Sequence, residues 1–295
     1  MRLPTFETLA ASFAALSDSR EKVGFLEAFA TVFAERPGIA NSVLLAGIAN
    51  AATDNNAHVR KVAQKTLNTV FEKRPNLADA SLAAYVTKSA ITDNDLAVSM
   101  AAQQTLGTII KKRPNLEVAI LDVALQAALG EMPDRHHATA ESIMAIIIKR
   151  NAGLAPGVVK DIRIAIGGED PSVRKAGLWT ARAIVTASPN LAEEFLDSVR
   201  CATTDHDTKV RSSAYDILGS MIEKRPDLAN ADMAATIARA VVSEPVLFAR
   251  ESAQRTLRTI REQRPDIARE EPAAAIPFRP AYPTKLRCIA ANDIS

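Results

Sequence analysis

The sequence predicts an all-α protein built from about seven antiparallel helix pairs. Three observations carry this: a short motif that returns at a near-constant interval, apolar residues at helical spacing ahead of each copy, and capping residues at the helix ends so defined. The motif is Lys73-Arg74-Pro75-Asn76-Leu77, and it returns as Lys112-Arg113-Pro114-Asn115-Leu116 and Lys224-Arg225-Pro226-Asp227-Leu228. Weaker copies are Glu35-Arg36-Pro37-Gly38-Ile39, Lys149-Arg150-Asn151-Ala152, Ser188-Pro189-Asn190-Leu191 and Arg264-Pro265-Asp266-Ile267. With Asn151 standing once for Pro, the marks fall at 37, 75, 114, 151, 189, 226 and 265, so the interval stays between 37 and 39 residues. A period this steady means stacked supersecondary units that share one continuous core.

The second helix of each unit, helix B, is read backwards from its mark. Five places before it stand Val32, Val70, Ile109, Ile146, Ile184, Met221 and Ile260; eight before it stand Phe29, Leu67, Leu106, Ile143, Ala181, Leu218 and Leu257. Small residues follow at twelve (Ala63, Ala102, Gly177, Ala214, Ala253) and apolar ones at sixteen (Val59, Val98, Val173, Val210, Ala249). Steps of three and four residues make one helical stripe. Asp18, Asn56, Asp95, Asp170 and Asp207, nineteen before the mark, are N-cap types. Lys or Arg complements the negative helix end, and Pro stops the helix. The Asn or Asp after Pro is expected to cap the next helix, helix A, over Leu77–Thr92, Leu116–Leu129, Leu191–Thr203 and Leu228–Val242.

The first pair is expected at residues 5–17 and 18–36, with Phe6, Phe13, Phe25, Phe29 and Phe33 thickening the core of an end repeat. The array runs over residues 1–267, with its least regular unit around Gly130–Arg150. Beyond it Pro272, Pro277, Pro280 and Pro283 mark residues 268–295 as an extended or disordered tail.

Composition narrows function. Net charge is +2, so attraction to nucleic acid needs a local patch. Cys201 and Cys288 have no metal-type spacing and suggest a reducing compartment, hence a cytoplasmic protein. Met1–Glu7 lacks the apolar region of a signal peptide, and no apolar run approaches the ~20 residues of a membrane span. There is no Gly-rich phosphate loop, Gly-x-Ser-x-Gly elbow or His-Glu-x-x-His, so no enzyme activity and no cofactor is expected. His137 and Glu141 share a helix face near Asp134 and His136, but one such pair falls short of a metal site, and none is assigned.

The openings of helix B, Asn56-Ala57-His58-Val59-Arg60, Asp170-Pro171-Ser172-Val173-Arg174 and Asp207-Thr208-Lys209-Val210-Arg211, resemble the second helix of HEAT repeats of the armadillo-like superfamily. The resemblance covers residues 5–267 and implies a right-handed alpha-alpha superhelix whose B helices line the concave side. It also implies a polar ladder between repeats, using Arg60, Arg174, Arg211 and Arg250 with Asp170 and Asp207 as partners. Ser99 and Arg135-His136 depart from that pattern.

Two surfaces are candidates. Ten and eleven places before the mark, positions expected to face solvent, the usual Gln64-Lys65, Gln103-Gln104 and Gln254-Arg255 give way to Leu178-Trp179 and Tyr215-Asp216. With Met144, Arg182, His137 and Glu141 on the same face, these resemble a hot spot for another protein or a peptide. The bland alternative is that Trp179 fills a gap beside Gly177 and Ala181. The second surface is a basic line, Arg36, Arg74, Arg113, Arg150, Arg225 and Arg264 with Lys73, Lys112, Lys149 and Lys224, which would track phosphates. Its bland alternative is compensation of helix dipoles. Because some HEAT-like proteins are DNA glycosylases, a weaker reading places Trp179 and Asp216 in a base-release site. The sequence favours a non-enzymatic scaffold for a protein or peptide, with nucleic acid second and no membrane.

Overall fold

The computed structural model describes residues 13, 15–39, 41–130 and 132–268, apart from the side chains at 134 and 268. Most of the expected first helix A and the Pro-rich tail from 269 lie outside the described residues. The B helices are α1 (Ser19–Glu35), α3 (Ala57–Lys73), α5 (Leu96–Lys112), α7 (Asp134–Arg150), α9 (Pro171–Ala187), α11 (Thr208–Lys224) and α13 (Leu247–Gln263). The A helices are α2 (Ser42–Ala51), α4 (Ala80–Thr92), α6 (Glu117–Leu129), α8 (Ala155–Ile166), α10 (Ala192–Ala202) and α12 (Ala231–Ser243), and a short α14 (Pro265–Ala268) ends the described chain. No strand occurs among the described residues.

The chain divides into two compact units, Met1–Ala124 and Leu125–Ser295, and α6 runs across the division. In the first unit α1 packs on α3 and α3 on α5, with α2 on α3 and α4 on α5. In the second, α7 packs on α9, α9 on α11 and α11 on α13, while α8, α10 and α12 each pack on the B helix that follows. Each unit is thus a stack of consecutive helix pairs.

The caps explain where B helices start. Asp18, Asn56, Asp95, Asp170 and Asp207 accept backbone N–H groups of their own first turns. The A-helix expectation needs correction. A 3-10 turn, such as Pro75–Leu77 or Pro226–Leu228, holds the Asn or Asp after Pro. The caps of α2, α4 and α12 are Asn41, Asp79 and Asn230 instead.

Most of the predicted stripe is core: Val70, Ile109, Ile184 and Ile260 are fully buried. Val32 is 47% exposed, since no B helix precedes α1 among the described residues. Phe13, Phe29 and Phe33 are buried, and successive rings from Phe25 to Phe33 stack. A second stripe escaped the sequence pattern. Positions four before the mark (Phe71, Val185, Ile222) and eleven before it (Gln64, Leu178, Tyr215) are buried as well. Seven residues return to within about 20° on a helix, so these positions share an arc. That arc faces the neighbouring pair. Thr105 Oγ1 lies 2.9 Å from Gln64 O, and Thr256 Oγ1 2.6 Å from Tyr215 O, each hydroxyl tying one B helix to the backbone before it.

The polar ladder exists, with different acids. Fifteen places before the mark, Lys22, Arg60, Arg174 and Arg211 bind Asp54, Asp93, Asp205 and Glu244 at 2.6, 2.9, 2.7 and 2.8 Å. Each acid ends the following helix A and stands twenty-one places before the next mark. Asp170 and Asp207 are not the partners, because their carboxylates accept N–H groups of their own helices. Arg250 lies where its charge helps to hold Glu244 ionised. The other edge of each guanidinium closes the turn behind it: Arg174 Nη1 donates to Gly168 O and Glu169 O, and Arg211 Nη1 to Asp205 O and His206 O.

The Arg211–Glu244 rung is the most buried, its side chains 7% and 5% exposed. Burial pushes the Glu244 carboxyl up, but hydrogen bonds from Arg211 and Val246 and the charges of Arg211 and Arg250 outweigh it and leave it below its ordinary 4.5. The Lys22 hydrogen bond, with the Asn56 N–H, likewise holds Asp54 below 3.8 against burial. Carboxyls depressed in the folded state contribute stability above their unfolded values, and lose it as pH falls through the native ones. Arg211→Met should therefore lower unfolding free energy in urea by about 3–5 kcal/mol by stranding a buried carboxylate, and Arg211→Met/Glu244→Leu should recover most of it. Acid titration followed by circular dichroism should show stability draining below about pH 4.5, where these carboxylates take up protons.

Candidate functional site

The irregular fourth B helix sets the site. In α3 the helix ends at Lys73, Arg74 is the C-cap and the 3-10 turn begins at Pro75. In α7 the helix ends at Arg150, the C-cap is Asn151 and the turn begins at Ala152. The structural mark is Ala152, one residue after the Asn151 read from the sequence. The slip explains two misplacements. Ile146 is 51% exposed while Ile147 is fully buried, and Met144, expected on the surface, is fully buried in the core.

Counted from Ala152, the ladder cation is His137, and the acid place of the next unit is Gly168. Between α7 and α9 the ladder therefore lacks both its usual cation and its carboxylate. His137 is 8% exposed, and its Nδ1 lies 3.0 Å from Ala128 O, imitating the guanidinium's hold on the turn behind it. That contact assigns the proton to Nδ1 in the neutral ring. His136, also buried, accepts from Arg135 Nε through its Nε2. Burial, then the charge of Arg135, holds the His136 imidazole below its ordinary value.

A cleft of about 290 Å³ opens at this interruption, lined by Met132, Pro133, His137, Ser172, Lys175 and Trp179 among others. Trp179 is half-buried, its ring edge-on to His137 with centroids 6.5 Å apart. Lys175 Nζ stands 4.6 Å from the indole centroid, a cation–π contact. The gap-filling reading of Trp179 does not describe this geometry. Gly177 faces α8, where an added Cβ would meet Ile166 N at 3.0 Å, and Ala181 is fully buried. Close approach of α9 to α8 leaves Trp179 on the free arc.

The predicted patch separates accordingly. Trp179, Arg182, Glu141 and Asp216 reach the surface wholly or in part. Burial raises the Glu141 carboxyl above its usual range, with Arg182 opposing. Asp216 Oδ1 accepts from Arg255 Nη2 at 2.9 Å, so that carboxylate is engaged. Leu178 and Tyr215, expected on the surface, are 0% and 3% exposed. They occupy the inter-repeat arc, and the Tyr215 hydroxyl donates to Thr203 O at 3.0 Å, pinning α11 to the end of α10.

The basic line is largely tied into the fold. Arg74 Nη1 donates to Pro37 O and Arg113 Nη1 to Pro75 O, at 3.3 and 2.9 Å. Arg264 Nη1 reaches Ala229 O, and Arg225 and Arg264 pair with Asp227 and Asp266. Lys112 lies 3.6 Å from Glu72, while Lys73 and Arg150 are exposed. The motif arginines are joints between successive repeats, and acids interrupt the charge. Cys201 is disulfide-bonded.

No protein-family model and no curated protein matches the sequence. Among solved structures, the chain is similar to an engineered protein at 16% identity, covering 74% of this chain and 97% of that one, with a TM-score of 0.40. A second engineered protein gives 16% identity, 90% and 71% coverage and 0.40. A designed armadillo repeat protein in complex with the peptide (KR)4 gives 13% identity, 72% and 98% coverage and 0.37.

The two aromatic positions should respond differently to truncation. Tyr215→Ala should cost about 3–5 kcal/mol in urea unfolding, as a core aromatic does. Trp179→Ala should cost about 1 kcal/mol or less.

Proposed function

We propose that the chain is a non-catalytic scaffold that binds an extended or helical segment of another protein on its B-helix face, anchored at Trp179. The observation that carries this is the position of the sole Trp at the rim of a cleft, where the ladder between α7 and α9 is interrupted. A half-buried indole offers a large contact area at low entropic cost, and such residues dominate binding energy at interfaces. Arg182, Glu141 and Asp216 on the same face supply a polar rim. At about 290 Å³ the cleft lies at the small end of ligand pockets, suited to a side chain.

Affinity purification with mass spectrometry should recover partners with the wild-type chain and lose them with Trp179→Ala, whose circular dichroism should be unchanged. Equal recovery of the same partners by both would show that the site lies elsewhere.

A further inference from the structure

We propose that the cleft at the interrupted rung takes a carboxylate-bearing side chain from the bound segment, a glutamate above all. The partner would then supply from outside the acid that this chain lacks at Gly168. This rests on the reading of the α7–α9 face as a protein-binding surface.

Four rungs pair a cation at one fixed place with a carboxylate from the following turn. At the interruption the cation place holds a histidine more than nine-tenths buried, one nitrogen of which is committed to Ala128 O. The other nitrogen, Nε2, has no hydrogen-bond partner among the described residues, and the ring lines the cleft. Lys175 is held over the Trp179 ring and makes no ion pair among the described residues. Ser172 adds a hydroxyl in the first turn of α9, whose positive end favours an anion. No acidic residue among the described residues lines the cleft, and the Lys175 ammonium and Ser172 hydroxyl there are complementary to a carboxylate. The ammonium and hydroxyl donate to the carboxylate oxygens. Met132, Pro133 and the indole form the apolar wall against which the methylene stem of a glutamate lies.

The test is selection from phage-displayed random dodecapeptides on the whole chain, followed by titration of synthetic copies. Trp179 is the only Trp, so its fluorescence reports occupancy of this cleft. Selected peptides should share a Glu or Asp, and its amide counterpart should bind about tenfold more weakly, as expected for loss of a charge-assisted contact. Lys175→Met should weaken the acidic peptide to a similar degree and leave the amide peptide unaffected, the signature of a direct pair. His137→Arg/Gly168→Asp, which rebuilds the rung within the chain, should raise Tm and abolish acidic-peptide binding. Peptides that change Trp179 fluorescence but share no acid, or whose amide forms bind equally, overturn the inference and leave the protein-binding reading standing. If no selected peptide changes Trp179 fluorescence, both fall.

Discussion

The constraint on which this structure depends is the end of helix A. Its last carbonyls have no partner within the helix and lie near the next helix start. One side chain at the start of helix B resolves this: a guanidinium closes the turn with one edge and meets the next unit's carboxylate with the other, as Arg174 does with Gly168 O and Asp205. Arg suits the place because its donors form a rigid fork with two usable edges. The contact is made across the boundary between repeats. A helix pair taken alone would leave its Arg half-satisfied, and stacking is what completes it.

Other polar contacts follow the same rule of reaching one repeat back. The motif arginine donates to the Pro carbonyl of the preceding motif, as in Arg74 to Pro37 and Arg113 to Pro75. Thr105 and Thr256 reach the backbone of the preceding B helix. The most repetitive feature of the sequence is therefore a set of joints. The recognition we propose is placed where a joint is missing, beside the polar groups and the aromatic ring that line the cleft. His137 and Gly168 depart together from the cation and acid of the other rungs, and the cleft with Trp179 opens beside them.

Much of the fold was legible in the sequence because helix B repeats its apolar stripe, its cap and its stop at one period. The solvent-facing place of Trp179 was legible from the same count. The second buried stripe was not, since Gln64, Leu178 and Tyr215 share neither polarity nor size and are joined only by facing the next repeat. The ladder acids were misassigned because two kinds of Asp flank each turn, and only geometry separates the cap from the partner. In the fourth unit, Lys149-Arg150-Asn151 imitates the motif but is displaced by one residue, which sent Met144 to the wrong face. The cleft was hidden for a related reason: an interruption shows only after the intact rungs are aligned in space.

Cross-repeat rungs lock the turns, and that lock is absent between α7 and α9. Segment-resolved hydrogen–deuterium exchange of the unliganded chain tests this most directly. Backbone amides at 93–96 and 205–208, where Asp93 and Asp205 anchor the turns, should exchange slowly. Those at 132–137 and 166–170 should exchange markedly faster. Uniform protection across all these turns would mean that the rungs do not set how tightly the turns are held.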